Sequence, residues 1–266
     1  MLERRLRVYR SPARGPLTFV VGSPRSGTTF VSGALAEATG MVDLGEVAAF
    51  KRRIPALLEL PEATRPRRVQ RVLEPVRWLG LSPGRRAVEQ TPETSFVLGS
   101  VLAAYPDARA LHVLRDGRDV VCSLIERGWL SAERGGGDDA GRPYGNHPRF
   151  WVEPERRDEF RDASEATRAA WAWRRYVEAV RSVGERTVEL RYEHFTADPH
   201  GAAASVAPEL GIDVDRFAAA LGRAHSDSVG RWRRELGDEQ VADVEREAGA
   251  LLRELGYLGD DLREVG

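Results

Sequence analysis

Residues 17–21, Leu-Thr-Phe-Val-Val, form an apolar run that stops at Gly22. A polar loop of Ser23, Pro24, Arg25 and Ser26 follows, and Gly27, Thr28 and Thr29 lead into helix-compatible residues 30–38. Strand, tight loop and helix N-terminus together make an anion grip. The first N–H groups of a helix have no intrahelical partner, and the helix dipole favours negative charge there. Gly22 and Gly27 frame four residues as in a phosphate loop, but Thr28 stands where an NTPase carries its lysine. The cation has moved into the loop as Arg25. The expected chemistry is therefore capture of a phosphate-like group by a loop poorly suited to ATP hydrolysis. An ordinary βα turn, which uses Gly, Ser and Pro for its own reasons, is the competing reading.

A second anchor lies about ninety residues on. Residues 108–114, Ala-Arg-Ala-Leu-His-Val-Leu, read as a buried strand ending at Arg115-Asp116-Gly117-Arg118-Asp119. A helix is expected over residues 120–125, with Asp119 as its N-cap and Ser123 within it. An arginine at a strand end and a serine on the next helix can converge on one phosphate, the first with a charge-assisted fork and the second with a hydroxyl. A surface salt-bridge cluster would use the same residue types.

The string Gly-Ser-Pro-Arg-Ser-Gly-Thr-Thr resembles the 5′-phosphosulfate loop of sulfotransferases that use 3′-phosphoadenosine 5′-phosphosulfate (PAPS). It is closest to the form found in bacterial, protein-tyrosine and carbohydrate sulfotransferases. Arg115-Asp-Gly-Arg-Asp-Val-Val-x-Ser123 is similar to the 3′-phosphate motif of the same family. The resemblance runs from about Leu17 to about Tyr257 and implies a P-loop-like α/β domain that moves a sulfuryl group from PAPS to a hydroxyl acceptor, leaving adenosine 3′,5′-bisphosphate (PAP) and requiring no metal. It assigns Ser26, Gly27, Thr28 and Thr29 to the phosphosulfate, Arg25 to charge on the leaving oxygen, and Arg115 and Ser123 to the 3′-phosphate. Tyr192, in a strand-end Tyr-Glu pattern, is expected near the adenine or ribose. Ser228, Arg231 and Trp232 belong to a segment resembling the loop that closes over the nucleotide.

For the base, Gly45-Glu46 resembles the Gly-Glu pair of tyrosine-directed members, with Lys51, Arg52, Arg53, Ile54 and Pro55 following at looser spacing. Glu46 is either the general base or a carboxylate that only pairs with Arg25 or Arg52. His147 is the alternative base, whereas His112, inside an apolar strand, reads as a core residue. The clearest departure is Gln90 in Val-Glu-Gln-Thr-Pro, where related enzymes often have a lysine near the sulfate. An amide can donate a hydrogen bond there but brings no charge, so Arg25 acts alone or Lys51 or another arginine substitutes.

The whole chain limits the alternatives. Its 266 residues suffice for one large α/β domain, and 40 basic against 41 acidic side chains give no bulk field for nucleic acid. Nearly all the positive charge is arginine; Lys51 is the single lysine. One cysteine, Cys122, excludes an intrachain disulfide and a multi-cysteine metal site, and its apolar neighbours place it in the core. No signal-peptide or membrane-spanning pattern is present, so a cytoplasmic protein without membrane contact is expected. Partners are then a small-molecule, peptide or glycan hydroxyl acceptor, with a homodimer left open.

Strands are expected at residues 17–21, 41–44, 87–89, 110–114 and 187–191, separated by helical stretches, as in a parallel sheet flanked by helices within one domain over 1–266. Aromatic residues at helical spacing in 164–183 read as core, and 238–255 as an amphipathic helix. Residues 128–148, with three successive glycines, are expected to form a lid or flexible loop on the acceptor side. Two rivals remain: an ATP-dependent phosphotransferase, and a non-catalytic nucleotide-binding protein of the same fold.

Overall fold

Leu17–Val21 (β1) is buried along its whole length and pairs in parallel with a neighbour on each side. A strand buried on both faces must be apolar throughout, which is why its sequence does not alternate. The computed structural model describes residues 16–80, 85–131, 149–184 and 186–259. The other strands are Val42–Asp43 (β2), Ala87–Glu89 (β3), Arg109–Leu114 (β4) and Thr187–Arg191 (β5), in the order β2-β3-β1-β4-β5. All pairings are parallel. The expected α/β sheet is therefore present, with each strand within two residues of its sequence-read limits.

The main helices are Thr28–Thr39 (α1), Arg65–Gly80 (α2), Leu98–Ala104 (α3), Gly117–Arg127 (α4), Glu165–Arg181 (α5), Pro199–Leu210 (α6), Val214–Leu221 (α7) and Asp238–Glu254 (α8). On one face, Val20, Leu111, Val113 and Leu190 pack against apolar side chains of α1, α6 and α7. On the other, Phe19, Val21, Ala87 and Ala110 meet α2, α3 and Val180 of α5. Successive strand residues thus supply opposite layers. A third cluster joins α4, α5 and α8 around Trp151, Trp171, Trp173 and Tyr176, so the aromatic stripe of α5 is core.

β1 leads on to β2 at one edge of the sheet, while its neighbour β4 leads on to β5 at the other. In such sheets the crevice outside the strands' carboxyl ends is where ligands bind. The loops after β1 and β4 carry the two anion motifs, and the topology sets them side by side.

Candidate nucleotide and transfer site

The loop after β1 has a backbone that sequence alone allows only in part. Gly22 has φ of +145°, and a Cβ there would meet the Val113 carbonyl oxygen at 2.5 Å. Arg25 is a non-glycine residue at φ +70°, a conformation held only where surrounding structure over-determines it and concentrated at functional sites. The Ser26 N–H closes a turn onto the Ser23 carbonyl at 3.2 Å. Gly27, at φ +97°, is the N-cap of α1, and a Cβ on it would press the Tyr192 ring at 3.0 Å. α1 begins at Thr28, so the N–H groups of its first turn open toward the cleft.

This cleft, about 430 Å³, is lined by Arg25, Gly27, Thr28, Thr29, Phe30, Arg115, Ser123, Tyr192, Ser228 and Arg231, among others. Arg25 donates from Nε to Ser123 Oγ at 3.0 Å, and Arg115 donates from one Nη to the Arg25 carbonyl at 3.2 Å. Arg115 also donates to the Ser228 carbonyl at 2.6 Å and lies 4.4 Å over the Tyr192 ring. Tyr192 donates to the His225 carbonyl at 2.9 Å, and its hydroxyl is 3.1 Å from Ser228 Oγ. Burial, and then the charges of Arg127 and Arg115, lower the pKa of Arg25 below the ordinary arginine value. The guanidinium stays charged, and two such cations crowded together favour an anion between them.

The second motif resolves residue by residue. Asp116, not Asp119, caps α4: its carboxylate accepts the Arg118 N–H at 2.9 Å and pairs with the Arg118 guanidinium at 2.7 Å. The helix also starts three residues earlier than expected. Gly117 packs under Trp173, where a Cβ would come within 2.7 Å of the ring, and Trp173 Nε1 donates to the Arg115 carbonyl at 3.1 Å. Asp119 is fully buried and accepts the Gly230 N–H at 2.8 Å and the Trp232 N–H at 3.0 Å. It ties the 226–235 segment to the cleft wall. The Trp232 ring lies 4.0 Å over Arg118, away from the residues lining the cleft. Arg231 does line it, paired with Glu126 at 3.1 Å and also with Glu235.

The remaining residues converge where β3 ends. Thr29 donates to Gln90 Oε1 at 3.3 Å, joining the loop helix to Val-Glu-Gln-Thr-Pro. The Gln90 N–H reaches the Gly45 carbonyl at 3.2 Å, and the Val47 N–H reaches Thr91 Oγ1 at 3.0 Å. Glu46 lies between these two anchored residues, without lining the cleft itself. Its carboxylate pairs with Lys51 at 3.0 Å, and the same ammonium is 3.2 Å from the fully buried Glu93. Neither Arg25 nor Arg52 takes that place. His147 and the expected 128–148 loop beyond Ser131 lie outside the described residues. His112 is buried, its pKa lowered to about 3 by burial first, and is neutral in the core. Burial pushes the Cys122 thiol up to about 12, an inert core thiol.

Three contacts escaped the sequence reading: the Asp119 clamp, the Lys51–Glu93 pair, and Phe30 in the cleft wall. The first two join residues far apart in the chain and leave no local spacing to read. Among the described residues no helix is long and apolar enough to cross a membrane, and no group of three His, Cys, Asp or Glu is placed to hold a metal.

The family model described as Sulfotransferase family matches residues 16–216, so the chain belongs to that family. No curated protein matches the sequence. Among solved structures, the sulfotransferase domain from the curacin biosynthetic pathway is 14% identical, with 90% of this chain and 98% of that chain covered and a TM-score of 0.55. Sulfotransferase STF9 from Mycobacterium avium is 15% identical over 95% of this chain and 80% of that one, with a TM-score of 0.52. Mouse sulfotransferase SULT7A1, solved with PAP, is 14% identical over 92% of this chain and 88% of that one, with a TM-score of 0.51. At these identities the likeness is one of fold.

Proposed function

We propose that this chain transfers a sulfuryl group from PAPS to a hydroxyl acceptor. One observation carries the reading: Arg25 and Arg115 face one cleft with no carboxylate at ion-pair distance among the described residues. Two further donors fit an anion bound there: Arg115 Nε, on a residue lining the cleft, and Ser26 Oγ in the loop are both buried with no hydrogen-bond partner. A buried donor left unmade costs about 1–3 kcal/mol, which a bound phosphate would recover. The mouse structure holds PAP on the same fold.

Bound PAPS supplies the activated sulfuryl group. Ser26, Gly27, Thr28 and Thr29 hold its 5′ side with backbone N–H groups and hydroxyls. Arg115 and Ser123 hold the 3′-phosphate. Arg25, hydrogen-bonded to Ser123, would supply positive charge to the bound nucleotide from the same cleft. Tyr192 and Ser228 form the nucleotide wall; Arg231 and Trp232 brace the segment that closes it. Gln90, fixed by Thr29, offers an amide toward the transferring group, and Glu46 takes the acceptor proton. His147 is the rival for that last role. The single-domain organisation, a cytoplasmic site of action and a small-molecule, peptide or glycan acceptor complete the proposal.

The test is turnover of PAPS with a panel of phenols, sugars, alcohols and tyrosine peptides. Formation of PAP in step with a sulfated product supports the reading. Binding of PAP without turnover across the panel would favour a non-catalytic protein of this fold, and magnesium-dependent ATP turnover a phosphotransferase.

A further inference from the structure

Glu193 follows Tyr192 in the Tyr-Glu pattern at the end of β5, and the nucleotide reading gives it no task. It stands on the short helix Tyr192–Ala197 and reaches back to the second anion motif, where its Oε1 accepts the Asp116 N–H at 2.8 Å. The carbonyl of that same peptide group is Arg115's, and Trp173 Nε1 donates to it at 3.1 Å. The planar peptide unit between Arg115 and Asp116 is therefore held at both ends, which fixes the direction in which the Arg115 side chain leaves the backbone.

The other oxygen of Glu193 is held from much later in the chain. α8 stops in a turn with Gly256 at φ +76°; the Gly256 N–H bonds the Arg253 carbonyl at 2.9 Å and the Tyr257 N–H bonds the Leu252 carbonyl at 2.8 Å. This pair of bonds is a Schellman closure, and it brings Tyr257 to the end of β5. There the Tyr257 hydroxyl donates to Glu193 Oε2 at 3.1 Å. The Tyr257 carbonyl accepts from Arg118 at 2.6 Å, and the same guanidinium pairs with Asp116. Arg191 secures the approach, donating to the Leu255 carbonyl at 2.8 Å and lying 5.5 Å from the Tyr257 ring.

We infer that Glu193 and Tyr257 are positioning residues for the proposed 3′-phosphate grip, Glu193 by aiming Arg115 and Tyr257 by fixing Glu193. The inference deepens the role proposed for Arg115 and rests on it. A binding side chain is only as precise as the bonds that hold its own support, and a carboxylate accepting a backbone N–H is a stronger anchor than a neutral acceptor. Neither Glu193 nor Tyr257 lines the cleft, so both act through the Arg115–Asp116 peptide. The turn after α8 thus bears on which nucleotide the protein selects.

Calorimetric titration of variants with PAP and 5′-AMP tests this. Tyr257→Phe keeps the ring beside Arg191 and removes only the hydroxyl. PAP affinity should then fall about three- to tenfold, the range for one hydrogen bond, while 5′-AMP, which lacks the 3′-phosphate, should hardly change. Glu193→Ala should cost more, and Glu193→Gln, which retains an oxygen for the Asp116 N–H, should recover part of that loss. In an Arg115→Ala background Tyr257→Phe should cost nothing further, because its effect passes through Arg115.

Equal losses for PAP and 5′-AMP would mark a structural role alone and overturn the inference. An unchanged PAP affinity in Tyr257→Phe would overturn it too, as would the same loss repeated in the Arg115→Ala background. Tyr257→Phe decides the matter even if Glu193→Ala does not fold, since it leaves the carboxylate and its bond to Asp116 in place. A wild type that binds PAP no more tightly than 5′-AMP would instead remove the role of Arg115 itself, and the inference with it.

Discussion

Arg25 Nε lies 3.0 Å from Ser123 Oγ, a hydrogen bond between residues 98 positions apart. It joins the loop after β1 to the helix after β4, so the two candidate anion motifs form one continuous surface. Arg25 pays for this position with a left-handed backbone at φ +70°. Ser123→Ala should free Arg25 as well as remove one hydroxyl donor. We expect PAP affinity to fall by about 1–2 kcal/mol, with kcat also reduced. Calorimetry beside steady-state kinetics checks this; an unchanged affinity would mean that the hydroxyl serves only the helix.

Arg115 should be selective for the 3′-phosphate. Arg115→Ala is expected to weaken PAP binding by about 1.5–3 kcal/mol, as for a charge-assisted hydrogen bond, and to leave 5′-AMP nearly unaffected. Equal losses for both ligands in calorimetry would assign Arg115 to the 5′ side or to packing under Tyr192.

That Arg25 and Arg115 would meet at one cleft was legible in the sequence, because each follows a strand and precedes a helix, and local pattern encodes such places. The five strands were legible for the same reason. Asp119 was read as a helix cap since Asp before an apolar run is a common cap, yet Asp116 takes that role. Asp119 instead binds Gly230 and Trp232, more than a hundred residues away. Such a role depends on where α4 and the 226–235 segment meet in space. Lys51 presents the same difficulty: its uniqueness was visible, its buried partner Glu93 was not.

The Asp119 clamp gives a prediction of its own. Asp119→Asn keeps the shape but halves the acceptor capacity toward the two N–H groups. The 226–235 segment should loosen, seen as faster amide exchange at Gly230 and Trp232, with PAP dissociating faster. Unchanged exchange at both amides would contradict the clamp.

Glu89 sets an alkaline limit on stability. Its carboxyl has a pKa of about 8 in the fold against 4.5 when unburied, chiefly through burial. The folded state therefore holds a proton that the unfolded state has lost. This stabilisation is full below about pH 4.5 and declines as pH rises toward about 8, by roughly 1.4 kcal/mol per pH unit at most. Glu89→Gln should flatten that decline in chemical-denaturation series across the same window. A slope equal to that of the wild type would show that Glu89 is ionised in the folded protein.

Glu46→Gln retains shape and hydrogen bonding but cannot accept a proton. We expect kcat to fall roughly 10²–10⁴-fold, with PAP affinity within a few-fold of wild type. A near-normal rate together with a collapse in His147→Ala would transfer the role to His147.

The most direct measurement of the central claim is calorimetric titration of the wild-type protein with PAP, 5′-AMP and magnesium-ATP under one set of conditions. The account predicts that PAP binds at least about tenfold more tightly than either of the others, since Arg115 and Ser123 engage a group that only PAP carries. Magnesium-ATP binding as tightly as PAP, or 5′-AMP matching it, would contradict the claim that this cleft is built for a 3′-phosphorylated sulfuryl donor.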